Sequence, residues 1–384
     1  MSHAAVNYIV LAIPVFFLLI GGELLFVRLA RRDYYRLNDA VSDLSCGTVQ
    51  QIVEVFLKTA LFSGYLLLFE RFRVATLPTD KAWVWVAGFL GVDFFYYWFH
   101  RMSHEVNAIW ATHVVHHQSE EYNLAVALRQ GAFQSAFSSA FYLPLALLGF
   151  PPVLFLTLSS LNTLYQFWIH TRAIGKLGPL DRVLNTPSNH RVHHGRNPNY
   201  IDRNHGGTLI VWDRLFGTYE PEQEEVVYGI TKPLASFNPI WANLHYWIEL
   251  VDLARRTGRW ADRLRVFAKP PGWRPAELGG FEPAPEVDAR SYRKWDVEAP
   301  AGVTLYVFAQ FVVIMLGTGA LLNLQDSLSR GPLIAGSLLV VLSLVALGGL
   351  LERRVWAPWL EATRLIAIVG FASVHALSWL GLRS

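Results

Sequence analysis

The 384-residue chain has one cysteine, Cys46. A single thiol forms no intramolecular disulfide and cannot build a thiolate metal site. Charge is also scarce. Only 16% of residues are Asp, Glu, Lys or Arg, where about 25% is usual in soluble chains. The net charge is +3, with no concentrated basic face of the kind nucleic acid requires. Internal repeats and low-complexity segments are absent from the sequence. What is abundant is apolar. Hydrophobic residues make up 53% of the chain, 14 of them Trp, and mean hydropathy is positive. Aromatic residues in such number suit elements that end at membrane interfaces.

A bilayer-crossing helix needs about 20 apolar residues. The first such run is 8–27. It has no basic flank before it and no cleavage site after it, so it is expected to be a retained span. Basic residues follow (Arg28, Arg31, Arg32, Arg36), then a polar stretch, 37–48. A second apolar run covers 49–69, with Glu54 and Lys58 inside it, and a third covers 83–99. The long run 132–169 is broken by Gly149, Pro151 and Pro152, which predicts a tight helical hairpin or re-entrant pair. Residues 170–300 are polar and read as a water-exposed cap. Runs at 303–324, 333–351 and 365–382 close the chain. The expected fold class is therefore all-α: a polytopic helical membrane protein with a histidine-rich helical cap holding a dimetal site. Its organisation is N-terminal transmembrane helices at 1–99, a catalytic region at 100–300 with the embedded hairpin, and C-terminal transmembrane helices at 301–384. Basic clusters at 28–36, in the histidine region and at Arg353 and Arg354 place the cap on the cytoplasmic side. The expected membrane is a bacterial inner membrane or the endoplasmic reticulum. Arg71 and Arg73 run against that topology.

Histidine is the unusual component. Most of the 13 histidines fall in three boxes: His100 and His104, then His113, His116 and His117, then His190, His193 and His194. Residues three or four apart share a helix face, so each box should point one way. His170, at the end of an apolar run, is a ninth candidate. Imidazole suits Fe, Zn, Cu and Ni. Neutral imidazoles bring no charge against two dications, so nearby acids should matter. Asp93 lies seven residues before His100, inside an apolar run where an acid is expensive. Glu105, Glu120 and Glu121 flank the boxes. A lone histidine is ordinarily structural, and His3, His245 and His375 are read that way. Cys46 is read as an inert small hydrophobe.

A zinc hydrolase needs about three protein ligands. Eight or nine histidines suit a metal pair, although two-metal hydrolases exist as well. Location favours oxidation. The boxes begin where spans end, so a substrate from the bilayer is expected, and a long alkyl chain offers mainly C–H bonds. Breaking one needs a redox metal and dioxygen.

These histidine words, with their surroundings, resemble the fatty acid hydroxylase/sterol desaturase superfamily. Within it the chain resembles the alkylglycerol monooxygenases. The resemblance is carried by residues 91–105 (GVDFFYYWFHRMSHE), 119–124 (SEEYNL), 127–130 (ALRQ), 164–171 (LYQFWIHT), 184–198 (LNTPSNHRVHHGRNP) and 207–218 (GTLIVWDRLFGT), with RLNDA at 36–40 upstream. It implies a membrane monooxygenase using two iron ions, tetrahydrobiopterin or another reduced donor, and dioxygen. Zinc can substitute for iron in a preparation. The implied reaction hydroxylates the carbon beside the ether oxygen of an alkylglycerol, giving a fatty aldehyde and a glycerol derivative. The implied metal ligands are the eight boxed histidines, with His170 matching a further one. Glu105 matches an acid after the first box. Glu105 and Asp93 are candidates for orientation and charge compensation. Glu120, Tyr122, Asn123 and Arg129 are candidates for pterin or head-group contacts, as are Arg191 and Arg196 for a head-group phosphate. Two positions depart from the pattern. Asn189 stands where another histidine is admitted, and His205 stands where an aromatic residue is expected and is read as local. Alternatives are a sterol, carotenoid or fatty-acyl oxidase of the same superfamily, and a non-catalytic membrane metal-binding protein.

Overall fold

The structure, a computed structural model, describes residues 8–379. His3 and the side chain of His375 lie outside the described parts. Helices dominate: α1 (Tyr8–Leu29), α2 (Leu37–Phe72), α3 (Ala82–Glu105), α4 (Asn107–His117), α5 (Gln134–Phe141), α6 (Leu143–Leu148), α7 (Pro152–Trp168), α8 (Pro187–His193), α9 (Val211–Phe216), α10 (Pro239–Arg256), α11 (Trp260–Ala268), α12 (Ala301–Leu324), α13 (Arg330–Leu351) and α14 (Ala357–Trp379). No strand occurs among the described residues; the only β-type pairings there are two isolated bridges, Leu184 with Leu209 and Gly195 with Tyr228. Five helices, α1, α2, α3, α12 and α13, are long and apolar enough to cross a membrane. The protein is an all-helical membrane protein.

The broken apolar run folds as a hairpin of short helices. α6 stops at Gly149, whose φ of +93° is left-handed. A Cβ there would sit 1.8 Å from the carbonyl oxygen of Ala75, so only glycine fits the turn. Pro151 and Pro152 then start α7, with proline at the first helical positions where its missing N–H costs nothing.

Two boundaries differ from the hydropathy reading. The polar stretch 37–48 is continuous with the second apolar run: α2 begins at Leu37 and carries Asp39, Ser42, Asp43, Ser45 and Thr48 as buried residues. Asp39, Ser42 and Asp43 meet residues 119–129, while Thr48 meets Met315 of α12. Ser119 donates to Asp39 at 2.5 Å, and Asp43 pairs with Arg129 at 3.1 Å. A hydropathy window cannot see partners that distant in sequence. α14 likewise starts at Ala357 rather than 365, because Glu361 and Arg364 pair with each other inside the bundle.

The cap closes over the histidine-bearing helix ends and is tied to the spans by polar contacts. Arg36 donates from Nε to Glu121 at 2.8 Å and from Nη1 to the Trp295 carbonyl at 2.8 Å. Glu121 also meets Arg172 at 2.7 Å and Lys294 at 2.6 Å. The Phe237 N–H donates to Glu352, at the end of α13, at 2.6 Å.

Candidate metal centre

α3 runs straight through the first histidine box, so His100 and His104 are its last inward-facing residues. The chain turns at Val106 in extended conformation and re-enters helix as α4. Asn107 holds that corner: its Nδ2 donates to the Val266 carbonyl at 2.8 Å. α4 carries the second box, α8 most of the third, and His170 follows the end of α7.

The nine histidines gather into two buried groups. His100, His104, His113, His117 and His193 form one; His116, His170, His190 and His194 form the other. Within each group the ligand nitrogens lie within 4.8 Å of one another. The expectation that each box points one way needs correction. The second box is divided, His113 and His117 going to one group and His116 to the other; the third is divided between His193 and the pair His190 and His194. At 100° per residue, positions i and i+4 lie close together while i+3 falls on the opposite flank. Each such box therefore straddles two centres.

The hydrogen bonds fix what these rings can do. The Nδ1–H of His100 donates to the His205 carbonyl at 2.8 Å, that of His116 to the Arg129 carbonyl at 2.8 Å, that of His170 to the Gln166 carbonyl at 2.7 Å and that of His193 to the Arg203 carbonyl at 2.9 Å. His113 Nδ1 donates to Gln134 Oε1 at 2.8 Å. A carbonyl only accepts, so in the neutral ring Nε2 carries the lone pair. Yet His116 Nε2 and His170 Nε2 are 3.1 Å apart, and His100 Nε2 and His113 Nε2 are 3.1 Å apart. Two lone pairs at that distance repel unless a cation lies between or beside them. The buried Nε2 atoms of His104, His193 and His194 have no protein partner at all. Burial holds His113 and His170 at about 4. Burial first, then neighbouring imidazoles, hold His116, His117, His190, His193 and His194 well below the usual histidine range. These are neutral, converging nitrogen donors, and they fit a pair of metal ions.

Three buried charged residues keep the donors in register. Asp93 accepts from the Thr208 N–H at 2.7 Å, the Leu209 N–H at 3.1 Å, Trp212 Nε1 at 2.9 Å and Asn162 Nδ2 at 2.7 Å. It touches no histidine. Asp213 accepts from the N–H groups of His205 and Gly206, each at 2.7 Å. Together the two acids clamp the loop whose His205 carbonyl orients His100. Arg129 donates to the Val115 carbonyl at 2.6 Å and to Gln118 at 2.6 Å, and its own carbonyl orients His116.

The other sequence candidates are placed as follows. Glu105 is partly exposed and pairs with Arg101 at 2.8 Å. Glu120 bonds the Tyr292 hydroxyl and the Trp295 N–H. Asn123 donates to the Tyr34 carbonyl at 2.7 Å. Tyr122 donates to the Ile169 carbonyl at 3.0 Å, and its ring lies 5.1 Å from that of His194 and 5.7 Å from that of His170. Arg191 is buried and binds Glu222 at 2.7 Å; Arg196 bonds Tyr292 and the Thr231 carbonyl. His245 is buried beside Gln118, apart from both groups. Asn189 donates to the Asp181 and Leu184 carbonyls.

Sequence reasoning read His205 as local, and it passed over three other residues at the centre. His205 is fully buried with its ring 5.2 Å from His104 and 5.7 Å from His193. The chain reaches it through Asp202 and Asn204, both left-handed at φ 56°. Gln134, Asp213 and Trp110 were the others; Trp110 lies 4.9 Å from His104 and 5.4 Å from His117, ring to ring. An acid eight residues past His205, as Asp213 is, was the available signal. A cavity of about 690 Å³ reaches His104, His117, His193 and His194 and extends along α10 to residues 271–285.

The comparisons with known proteins agree with this site. The fatty acid hydroxylase family model matches residues 85–218. The alkylglycerol monooxygenase of Homo sapiens is 40% identical over 333 residues, 86% of this chain and 74% of that protein. That of Danio rerio is 41% identical over 339 residues, 88% and 75% of the two chains. The ornithine lipid hydroxylase OlsE of Rhizobium tropici is 31% identical over 153 residues, 39% of this chain and 46% of that one. No solved structure matches the chain. With both histidine groups inside the matched region and the likeness running over most of the chain, this protein belongs to the alkylglycerol monooxygenase family.

Proposed function

We propose that this membrane monooxygenase oxidises alkylglycerol lipids at the carbon beside the ether oxygen. One oxygen atom of O2 enters that C–H bond and the other leaves as water, with two electrons and two protons from a reduced pterin such as tetrahydrobiopterin. The product hemiacetal breaks its remaining C–O bond to the glycerol oxygen, releasing a fatty aldehyde and a glycerol derivative. The ether oxygen makes this carbon the easiest on the chain to oxidise, because it stabilises the radical formed there. The observation that carries the reading is the pair of converging, neutral histidine groups at the ends of membrane-spanning helices, in a chain so similar to proteins named for this activity.

His100, His104, His113, His117 and His193 would hold one iron ion and His116, His170, His190 and His194 a second, and the pair would supply dioxygen activation. The chain's own residues do the rest. Carbonyls and Gln134 keep the Nδ1 protons on the outer side of the rings, so that Nε2 is free to bind metal. Asp93, Asp213 and Arg129 hold the backbone that carries those carbonyls. Glu105 acts from the rim through Arg101. Tyr122 covers the four-histidine group against water, while Glu120 and Asn123 fasten the segment on which it stands and so shape any pterin contact. The cavity beside Trp110 admits the substrate carbon to the histidines. The arginines at 28–36 and at 353–354 support a cytoplasmic position for the cap.

The test is aldehyde formation from a 1-O-alkylglycerol by ferrous-iron-loaded protein, with and without tetrahydrobiopterin, beside a His113→Ala control. Aldehyde that requires pterin, oxygen and His113 supports the reading. A stable alcohol or alkene from a sterol or fatty-acyl lipid, without aldehyde, replaces it with the broader superfamily's chemistry. Metal uptake with no oxygen consumption leaves a metal-binding protein.

A further inference from the structure

α10 carries two distinct rows. Ala242, Asn243 and Leu250 are buried against the cap and spans. A second row is apolar and bare: Trp241, Leu244, Ile248 and Val251 are 42%, 41%, 52% and 38% exposed. They recur at i, i+3, i+7 and i+10, one face of a helix, and Arg255 ends the row, exposed. Single exposed apolar residues mean little, but a continuous stripe of them requires a covering.

The neighbours of the stripe say what covers it. On one flank, the ring of Trp247 lies 6.4 Å from that of Phe137 on α5, part of the apolar hairpin. On the other flank, Glu249, Asp252 and Arg256 line the cavity that leads to the histidines. At its start, α10 is capped by Asn238 and abuts the last turn of the α13 span: Gly348 is so close to the Phe237 carbonyl that a Cβ would come within 2.8 Å of it. The helix therefore leaves the bundle where a span ends and water begins. An apolar stripe, a tryptophan at one end and an arginine at the other are what a helix lying in the head-group layer carries.

We propose that α10 lies along the bilayer surface with this stripe sunk into the boundary between phospholipid head groups and acyl chains, so that the mouth of the cavity opens at head-group depth. Resting on the reading of an ether lipid as substrate, the stripe is the ramp by which that lipid leaves the bilayer. The ether carbon of an alkylglycerol lies one bond from the polar head. At this depth it reaches the cavity while the alkyl tail stays in hydrocarbon, and no whole lipid has to enter water.

The chain suits a direct test, because its single cysteine is fully buried and engineered cysteines take a label alone. Ile248→Cys and Ser291→Cys, the latter on the exposed polar segment, would each carry a nitrobenzoxadiazole fluorophore in phosphatidylcholine nanodiscs. The expected result is several-fold stronger quenching at 248 by lipids spin-labelled high on the acyl chain, and several-fold weaker quenching there by aqueous iodide, than at 291. Equal iodide quenching at both positions, with no effect of spin-labelled lipid, overturns the proposal. Delivery is tested with Ile248→Glu: about a tenfold higher apparent KM for alkylglycerol in nanodiscs is expected, with kcat and the turnover of detergent-dispersed substrate near wild type. An unchanged KM in nanodiscs overturns the ramp. A lipid-quenched label in a protein that oxidises no ether lipid overturns the proposed substrate and leaves the membrane placement standing.

Discussion

Residues 85–218 and residues 301–370 both bury polar groups among helices, but they do so differently. In the first region, carboxylates, amides and imidazoles are buried together and bond across long sequence distances, as Asp93 does to the loop at 208–212. In the second, Thr318 and Ser343 bond only to carbonyls four residues back in their own helices. The exceptions are Glu352, which accepts from Ser236 and the Phe237 N–H, and a cluster in which Glu361 and Arg364 of α14 meet Tyr306 and Gln310 of α12. The histidine region uses polar burial to gather nitrogens within 4.8 Å of one another. The C-terminal bundle has hydrocarbon as its solvent and needs only apolar outer faces and a few small inner residues, so many sequences would serve.

That contrast can be broken by experiment. The largest effect is expected from His116→Ala. It should lose about one of the two metals by elemental analysis and lower monooxygenase activity more than about 100-fold, since even outer partners of metal ligands are worth 10- to 100-fold. Ser343→Ala should change neither; equal metal content in the two variants would remove the distinction. Next is Asp93→Ala, which strands buried N–H donors. It should lower unfolding stability in detergent by roughly 3 kcal/mol, with Asp93→Asn losing less. A loss below about 0.5 kcal/mol would show that the loop is held by something else.

A third effect concerns pH. In metal-free protein, His113 and His170 stay neutral down to about 4, whereas in the unfolded chain they protonate near 6.5. Between those values the unfolded state binds more protons, so stability should fall as pH falls from about 6.5 toward 4, by up to roughly 1.4 kcal/mol per unit for each ring. Above about 7 these groups should contribute no slope. Denaturant titrations across that range measure it, and a flat profile from 6.5 to 4 would mean that the rings are solvated. The smallest effect is expected in the C-terminal bundle. Replacing both Glu361 and Arg364 by Leu should shift stability by no more than about 1 kcal/mol, because a buried pair can be exchanged for apolar packing. A loss several times larger would make that cluster as specific as the histidine region.

The histidine boxes were legible in the sequence because their spacing is local. Helical periodicity alone brings His100 to His104 and His113 to His117, and the apolar run before His100 marks a span end. Asp93 was legible as costly, since an acid in an apolar run demands a reason, but its partners lie 69 to 119 residues away. Arg129 and Glu120 looked like ligand-binding groups and are instead occupied by Asp43, Gln118 and Tyr292, partners that no local pattern announces. The stripe on α10 was obscured because Trp241, Leu244, Ile248 and Val251 alternate with buried apolar residues, so that core and membrane faces look alike in composition.

By itself, then, the sequence determined which histidines were candidates to meet, that the elements are helices, and that some of them are long and apolar enough to cross a bilayer. Those properties depend on hydropathy and on a 3.6-residue period, both carried by neighbours in the chain. The tertiary structure alone decided how nine imidazoles divide into five and four, which carbonyl holds each Nδ1 proton, and where the cavity opens. Those depend on contacts between segments far apart in sequence, where a rotation of one helix by a single residue would exchange a ligand for a wall.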